Sequence, residues 1–172
     1  GSTIGIISDS TWIEPSSEVT NLLYDSNYSM EVNYGWNLSS SDWLIRIYLS
    51  GGSPREVIFN NSKIIQAYIF GDGSSNSFRF CVDDNFPNSS SSNHEVSPWY
   101  AIDWVGWKLV SWDMSMDGIG SWIGDGNLDG NMRFDSFQLK YNQGQSQFGK
   151  IYIDDFRIVE NVVLSTNENN FE

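Results

Sequence analysis

Gly149-Lys150-Ile151-Tyr152-Ile153-Asp154-Asp155-Phe156-Arg157-Ile158-Val159 reads as a β-strand with two adjacent carboxylates embedded in it. Asp is depleted in strands because its short polar side chain competes for backbone hydrogen bonds. Neighbouring side chains of a strand point to opposite faces, so only one of Asp154 and Asp155 can face solvent freely. The other must be satisfied where it lies, by buried donors or by a bound cation. Such a strand fits the last strand of a β-sandwich whose edge is pinned by a metal or a polar network.

Working outward, strand candidates recur with turn residues between them. They lie near Tyr28 to Tyr34, Trp43 to Leu49, Lys63 to Phe70, Phe78 to Asp83, Trp107 to Trp112, Met132 to Tyr141 and Lys150 to Val159. Shorter pieces are expected near Ile4 to Ser8, Glu18 to Leu23 and Val57 to Phe59. No long segment carries a clean 3.6-residue period, so helices should be few and short. Many short strands without helical punctuation predict an all-β, antiparallel β-sandwich of the jelly-roll kind. Three loops stand out: 71–76, 85–97 with its run of serines, and 124–130.

The 172 residues suit one domain, long enough to bury roughly 70% of the unfolded surface. Residues 1–2 read as a cloning remnant, 3–163 as the sandwich and 164–172 as a polar linker. A net charge of −13 argues against nucleic acid, anionic membrane and polyanionic glycans, all of which need a basic surface. The single cysteine, Cys81, excludes an internal disulfide and a cysteine-built metal site, and its strand-like setting reads as a small buried residue. No stretch approaches transmembrane length.

Alternation sorts the side chains of each strand into two sets. Arg46 and Tyr48 oppose Trp43, Ile45, Ile47 and Leu49; Arg79 and Asp83 oppose Phe78, Phe80 and Val82; Gln138 opposes Phe137 and Leu139. Gln66 shares a face with Tyr68, and Lys108 with Trp112. One sheet face is therefore expected to carry Arg46, Tyr48, Gln66, Tyr68, Arg79, Asp83, Trp112 and Gln138, with Trp122 exposed between Gly120 and Gly124. Trp36 and Trp99, also in loops, would form the rim, while at least one of Trp104 and Trp107 belongs to the core. Such a face suits a neutral sugar chain, whose apolar C–H faces stack on aromatic rings and whose hydroxyls pair with Arg, Gln and Asp. An ordinary solvated sheet face with scattered aromatics is the competing reading.

Three stretches taken together, Tyr68 to Phe80, Ile102 to Val110 and Gly149 to Phe156, resemble a bacterial carbohydrate-binding module of the calcium-containing β-jelly-roll type, similar to families 11 and 30. The resemblance implies a non-catalytic domain of a larger secreted protein that binds a glycan along one concave face. It also implies one structural calcium ion held by an Asp of the last strand and an acidic partner near the N-terminus. Asp155 and Asp9 match those positions, although Ser8-Asp9-Ser10-Thr11-Trp12 lacks the usual acidic-aromatic-acidic run. The tail from Val163 resembles the spacer that precedes a type 9 secretion sorting domain, which would place the protein outside the cell or on its surface.

Other chemistries fare less well. Asp125-Gly126-Asn127-Leu128-Asp129-Gly130 copies the start of an EF-hand loop, but its twelfth position is Ser136 and a glycine-rich turn is the favoured reading. Glycoside hydrolysis needs two acids about 5 to 9 Å apart; Glu31, Glu56, Glu95 and Asp83 are candidates, without a laminarinase-type Glu-x-Asp-x-x-Glu run. His94 is the sole histidine and no Gly-x-Ser-x-Gly elbow accompanies it, so a surface loop residue is expected there. The reading is then a monomeric domain, not an enzyme, that binds a neutral polysaccharide, with β-glucan the favoured ligand. A structural spacer or protein-interaction sandwich is the alternative. The two part on whether Tyr48, Tyr68, Arg79 and Trp112 converge on one open groove.

Overall fold

The structure, a computed structural model, describes residues 3–21, 27–48, 57–88, 90 and 93–161. Glu56 and the expected 164–172 linker therefore lie outside the described residues. A 3-10 turn at Ser8–Ser10 precedes ten strands: β1 (Trp12–Ser16), β2 (Ser29–Gly35), β3 (Ile45–Tyr48), β4 (Lys63–Asp72), β5 (Ser77–Asp83), β6 (His94–Val96), β7 (Tyr100–Ala101), β8 (Val105–Asp113), β9 (Arg133–Lys140) and β10 (Phe148–Glu160).

They form two antiparallel sheets, one ordered β1-β2-β10-β4-β8 and the other β3-β9-β5-β6 with β7 also beside β5. The predicted all-β sandwich is thus the observed architecture. All seven longer strands stand where alternation placed them, within about two residues, the usual scatter at element ends. The short expectations do less well. Ile4, Ile6 and Phe59 make single bridges only, and the first strand is Trp12–Ser16 rather than a piece from Glu18.

Between the sheets lies an apolar core. Val32 and Tyr34 of β2, Ile65, Ala67 and Ile69 of β4, Val110 and Trp112 of β8 and Ile151 and Ile153 of β10 face Phe78, Phe80, Val82, Phe134, Phe137 and Leu139 of the other sheet. Trp36, expected at a rim, is fully buried here, ringed by Tyr34 and Tyr141. Each Val, Leu, Ile or Phe among them contributes about 1.5–3 kcal/mol of burial free energy.

The Asp154-Asp155 pair finds its reason in β10. The strand pairs Asp154 with Tyr68 and then Arg157 with Gln66, so a bulge intervenes, with Asp155 in the left-handed region at φ 46°. The extra residue reverses the alternation. Tyr152 and Arg157 lie on the outer face, against Phe70 and Gln66, while Phe156 turns inward onto Phe134 and Phe137. Asp154 accepts the Asp155 backbone N–H and Asp155 accepts from Arg157. Asp tolerates the left-handed conformation better than most residues, which explains its place at the bulge.

Candidate functional site

The outer face of the second sheet gathers most of the chemistry. Register places Arg46 of β3, Gln138 of β9 and Arg79 of β5 side by side in one row. The two arginines alternate with aromatic rings carried by the strand end and by loops. Tyr48 lies 5.5 Å and the Trp122 ring 5.3 Å from the Arg46 guanidinium; Trp122 and Trp99 lie 5.7 Å and 3.9 Å from that of Arg79. Lys140 ends the series 5.9 Å from Trp99. Cations over π faces at these separations attract each ring and fix its orientation.

Within this ladder the members differ in access. Tyr48 is 61% exposed, whereas Arg79 is 2% and Gln138 0% exposed. Arg79 donates through Nε to Gln138 Oε1 at 2.8 Å and through Nη1 to the Ser121 carbonyl at 3.1 Å. Burial pushes its guanidinium down to about 10. Arg79 and Gln138 are thus the floor that seats the two indoles, and the surface open to a ligand consists of Tyr48, Arg46, Trp122 and Trp99.

One edge of the floor is polar. β9 carries a bulge between the pairs Cys81–Ser136 and Val82–Phe134, and Asp135 is the extra residue. The bulge turns Asp135 onto the outer face, where both its oxygens accept from Arg46, at 2.6 and 2.7 Å from Nη2, and Ser136 Oγ donates to Oδ2 at 2.6 Å. Burial alone would raise this carboxyl, but the Arg46 and Ser136 hydrogen bonds outweigh it and hold it below the usual carboxylate range. Beside it, Asp83 Oδ2 accepts from Arg133 Nε at 2.9 Å and Nη2 at 2.8 Å. His94, on β6 opposite Asp83, completes the cluster and packs edge-on to Trp122 at 5.9 Å. Cys81 lies beneath, fully buried, and burial pushes its thiol up, so it stays protonated.

Of the residues expected at a ligand site, Arg46, Tyr48, Arg79, Asp83, Trp122 and Gln138 therefore share this face. Three do not. Gln66 and Tyr68 lie on the outer face of the first sheet, where Gln66 accepts from Arg157 and donates to Ser111, and Tyr68 faces Arg157. Alternation assigns a side chain to a face of its own strand but not to a sheet. Trp112 is wholly buried opposite Ile65 in the core. Its partner in alternation, Lys108, misled: Lys108 is exposed and carries its ammonium over Trp104, 4.4 Å from the ring. Trp107 faces the other way, against Phe70, and donates to the Thr20 carbonyl.

Asp135, His94 and Trp99 join the site in their place. The sequence places Trp99 only at a rim and His94 only in a surface loop. Asp135 depends on the β9 bulge, which no turn residue in Phe134-Asp135-Ser136-Phe137 announces.

The expected calcium pair does not fit one ion. Asp9 is an exposed member of the turn beside Gly35, which pairs with Phe148, while Asp155 lies seven residues farther along β10. At strand rise that separation is roughly 20 Å. Asp155 already pairs with Arg157 at 3.0 Å. The 124–130 loop is held from below: Glu95 Oε1 accepts from Gly126 and Asp84 Oδ2 from Asp129. Of the carboxylates weighed for hydrolysis, Asp83 and Glu95 lie on the neighbouring strands β5 and β6, with Glu95 turned to the 124–130 loop, while Glu31 lies in the other sheet. Glu31 lies on β2 of the first sheet, where first Lys150 and then Asn33 hold its carboxyl below the usual range, and Asp83 lies on the second.

No protein-family model matches the chain, and no curated protein matches it. Solved structures do. A family 11 carbohydrate-binding module from Clostridium thermocellum, in complex with a β-1,3-1,4-mixed-linked tetrasaccharide, superposes with a TM-score of 0.56 at 19% identity, covering 87% of this chain and 82% of that one. The family 11 module of a cellulosomal cellulase from the same organism gives 0.54 at 18% identity, covering 87% and 81%. The fold is that of these modules, the β-jelly-roll sandwich that the closing strand pointed to.

Proposed function

We propose that this chain binds a neutral polysaccharide, a β-glucan, on the outer face of the β3-β9-β5-β6 sheet, and does so without cleaving it. The observation that carries the reading is the cation–aromatic ladder running from Tyr48 through Arg46, Trp122 and Arg79 to Trp99. A glucan chain laid along it stacks apolar ring faces on Tyr48 and Trp122, while Arg46, Asp135 and His94 are placed to pair with hydroxyls. The aromatic rings are held before the ligand arrives, so less side-chain entropy is lost on binding. Arg46, which faces the ligand, is matched by Asp135, and the chain is acidic, which favours an uncharged glycan over a polyanionic one.

The mixed-linked tetrasaccharide bound by the structural neighbour supports the ligand class. Such a ligand sets the protein outside the cell or on its surface, as a domain of a larger secreted protein. Affinity electrophoresis across soluble β-glucans, xylans and mannans tests the proposal. Retardation by a β-glucan is expected. Retardation by none of the three would favour a spacer or protein-interaction domain, and release of reducing ends would overturn the non-catalytic reading.

A further inference from the structure

His94, Asp83 and Asp135 meet at one point of this face, with Arg46 also on Asp135 Oδ1 at 2.6 Å. Their ligand atoms all lie within 4.8 Å of one another. His94 Nε2 stands 3.1 Å from Asp83 Oδ1 and 3.8 Å from Asp135 Oδ1. Asp83 is 4% exposed, and its Oδ1, aimed at the imidazole, is buried and accepts no hydrogen bond. The other ring nitrogen, Nδ1, lies 3.1 Å from the Ser90 carbonyl oxygen, an acceptor that suits a proton on Nδ1 and turns Nε2 toward the two carboxylates. One ring nitrogen and two carboxylate oxygens grouped in this way offer a ligand set for a cation.

We infer that Asp83, His94 and Asp135 form a site for a borderline first-row divalent cation of the zinc or nickel type, which nothing in the fold requires and the glycan reading does not supply. Ligand atoms around such an ion at about 2.0–2.2 Å stand about 3 to 3.5 Å apart; the imidazole stands 3.1 and 3.8 Å from the two carboxylates. One imidazole and two carboxylates suit zinc or nickel better than calcium, which takes six to eight oxygens. Outer partners are in place: Ser90 on Nδ1, Arg133 on Asp83 Oδ2, and Arg46 with Ser136 on Asp135. Such contacts orient metal ligands elsewhere. The guanidiniums also repel the ion, so affinity should fall below that of an all-acidic site.

The cation site shares His94 and Asp135 with the proposed glycan face, and it is tested without a glycan. Zinc chloride and nickel chloride are titrated by calorimetry into the intact chain, His94→Gln and Asp83→Asn, with calcium chloride as the hard-cation comparison. One zinc per chain is expected, with affinity reduced about tenfold or more in both variants and calcium failing to displace it. Because His94 is the sole histidine, long-range proton–nitrogen correlation of the unaltered protein reads the site with no variant at all. A proton on Nδ1, and a zinc-dependent shift at Nε2, are expected. Zinc binding equal in all three proteins, no zinc binding, or an Nε2 resonance unmoved by zinc would overturn the inference.

Discussion

The Arg79 guanidinium lies 3.9 Å from the centre of the Trp99 ring while its Nε–H is held by the Gln138 side chain across the strand pair. A buried charge is thereby shared between an aromatic face and an amide, and among the described residues no carboxylate pairs with it. Arg79→Lys keeps the charge but loses the planar fork that both contacts use. The variant should lower unfolding free energy in urea by about 1–3 kcal/mol, with the slope unchanged, and weaken the near-ultraviolet circular dichroism of the indoles. A midpoint equal to the parent's would mean that the pairing does not seat Trp99.

Trp112 and Tyr48 separate core from ligand surface. Truncating the fully buried Trp112 to Ala should cost about 3–5 kcal/mol of stability by leaving a cavity. Tyr48→Ala, at an exposed position, should stay within about 0.5 kcal/mol of the parent. Thermal melts of the two variants check the contrast, which reverses if Trp112 belongs to a binding face.

Asp135 gives the fold an acid-sensitive element. Burial opposes its charge but the Arg46 and Ser136 hydrogen bonds prevail, so its folded value lies below the ordinary 3.8. A depressed carboxyl binds fewer protons folded than unfolded, so stability rises with pH through the interval below 3.8 and is fully present above it. On acidification that contribution is lost as pH falls through the folded value. Asp135→Asn removes the titration, so its urea stability should change less with pH across this interval than the parent's. An equally steep dependence in both proteins would assign the acid sensitivity elsewhere.

The two aspartates once paired as calcium ligands should behave independently. Asp9→Ala, in an exposed turn, should leave stability within about 0.5 kcal/mol. Asp155→Ala keeps the positive φ, loses the bond to Arg157 and should cost about 1–2 kcal/mol. A double variant whose loss differs from the sum of the two singles would show that they share an ion after all.

The strand pattern was legible because alternation in Trp43 to Leu49, Phe78 to Asp83 and Phe137 to Tyr141 reflects burial on one face of a half-buried sheet. The same alternation says which side of its own strand a residue occupies and nothing about which sheet the strand joins. That is why Gln66 and Tyr68 were grouped with Arg46 and Arg79 although they lie across the sandwich. Bulges reset the count without a local signal, which hid Asp135 and disguised Phe156. His94 stayed hidden for another reason: a three-residue strand following a serine run reads as loop. Trp122 was legible, since glycines on both sides mark a loop that can lay an indole over the sheet.

The central claim, that the Tyr48–Arg46–Trp122 ladder is a glycan platform, is met most directly by calorimetric titration of mixed-linked β-1,3-1,4-glucan into the parent, Trp122→Ala and Tyr68→Ala. Binding by the parent, retained in Tyr68→Ala and weakened about tenfold or more in Trp122→Ala, about 1.4 kcal/mol, is the predicted result. Equal binding by the parent and Trp122→Ala, or loss confined to Tyr68→Ala, would move the ligand to another face and contradict the account.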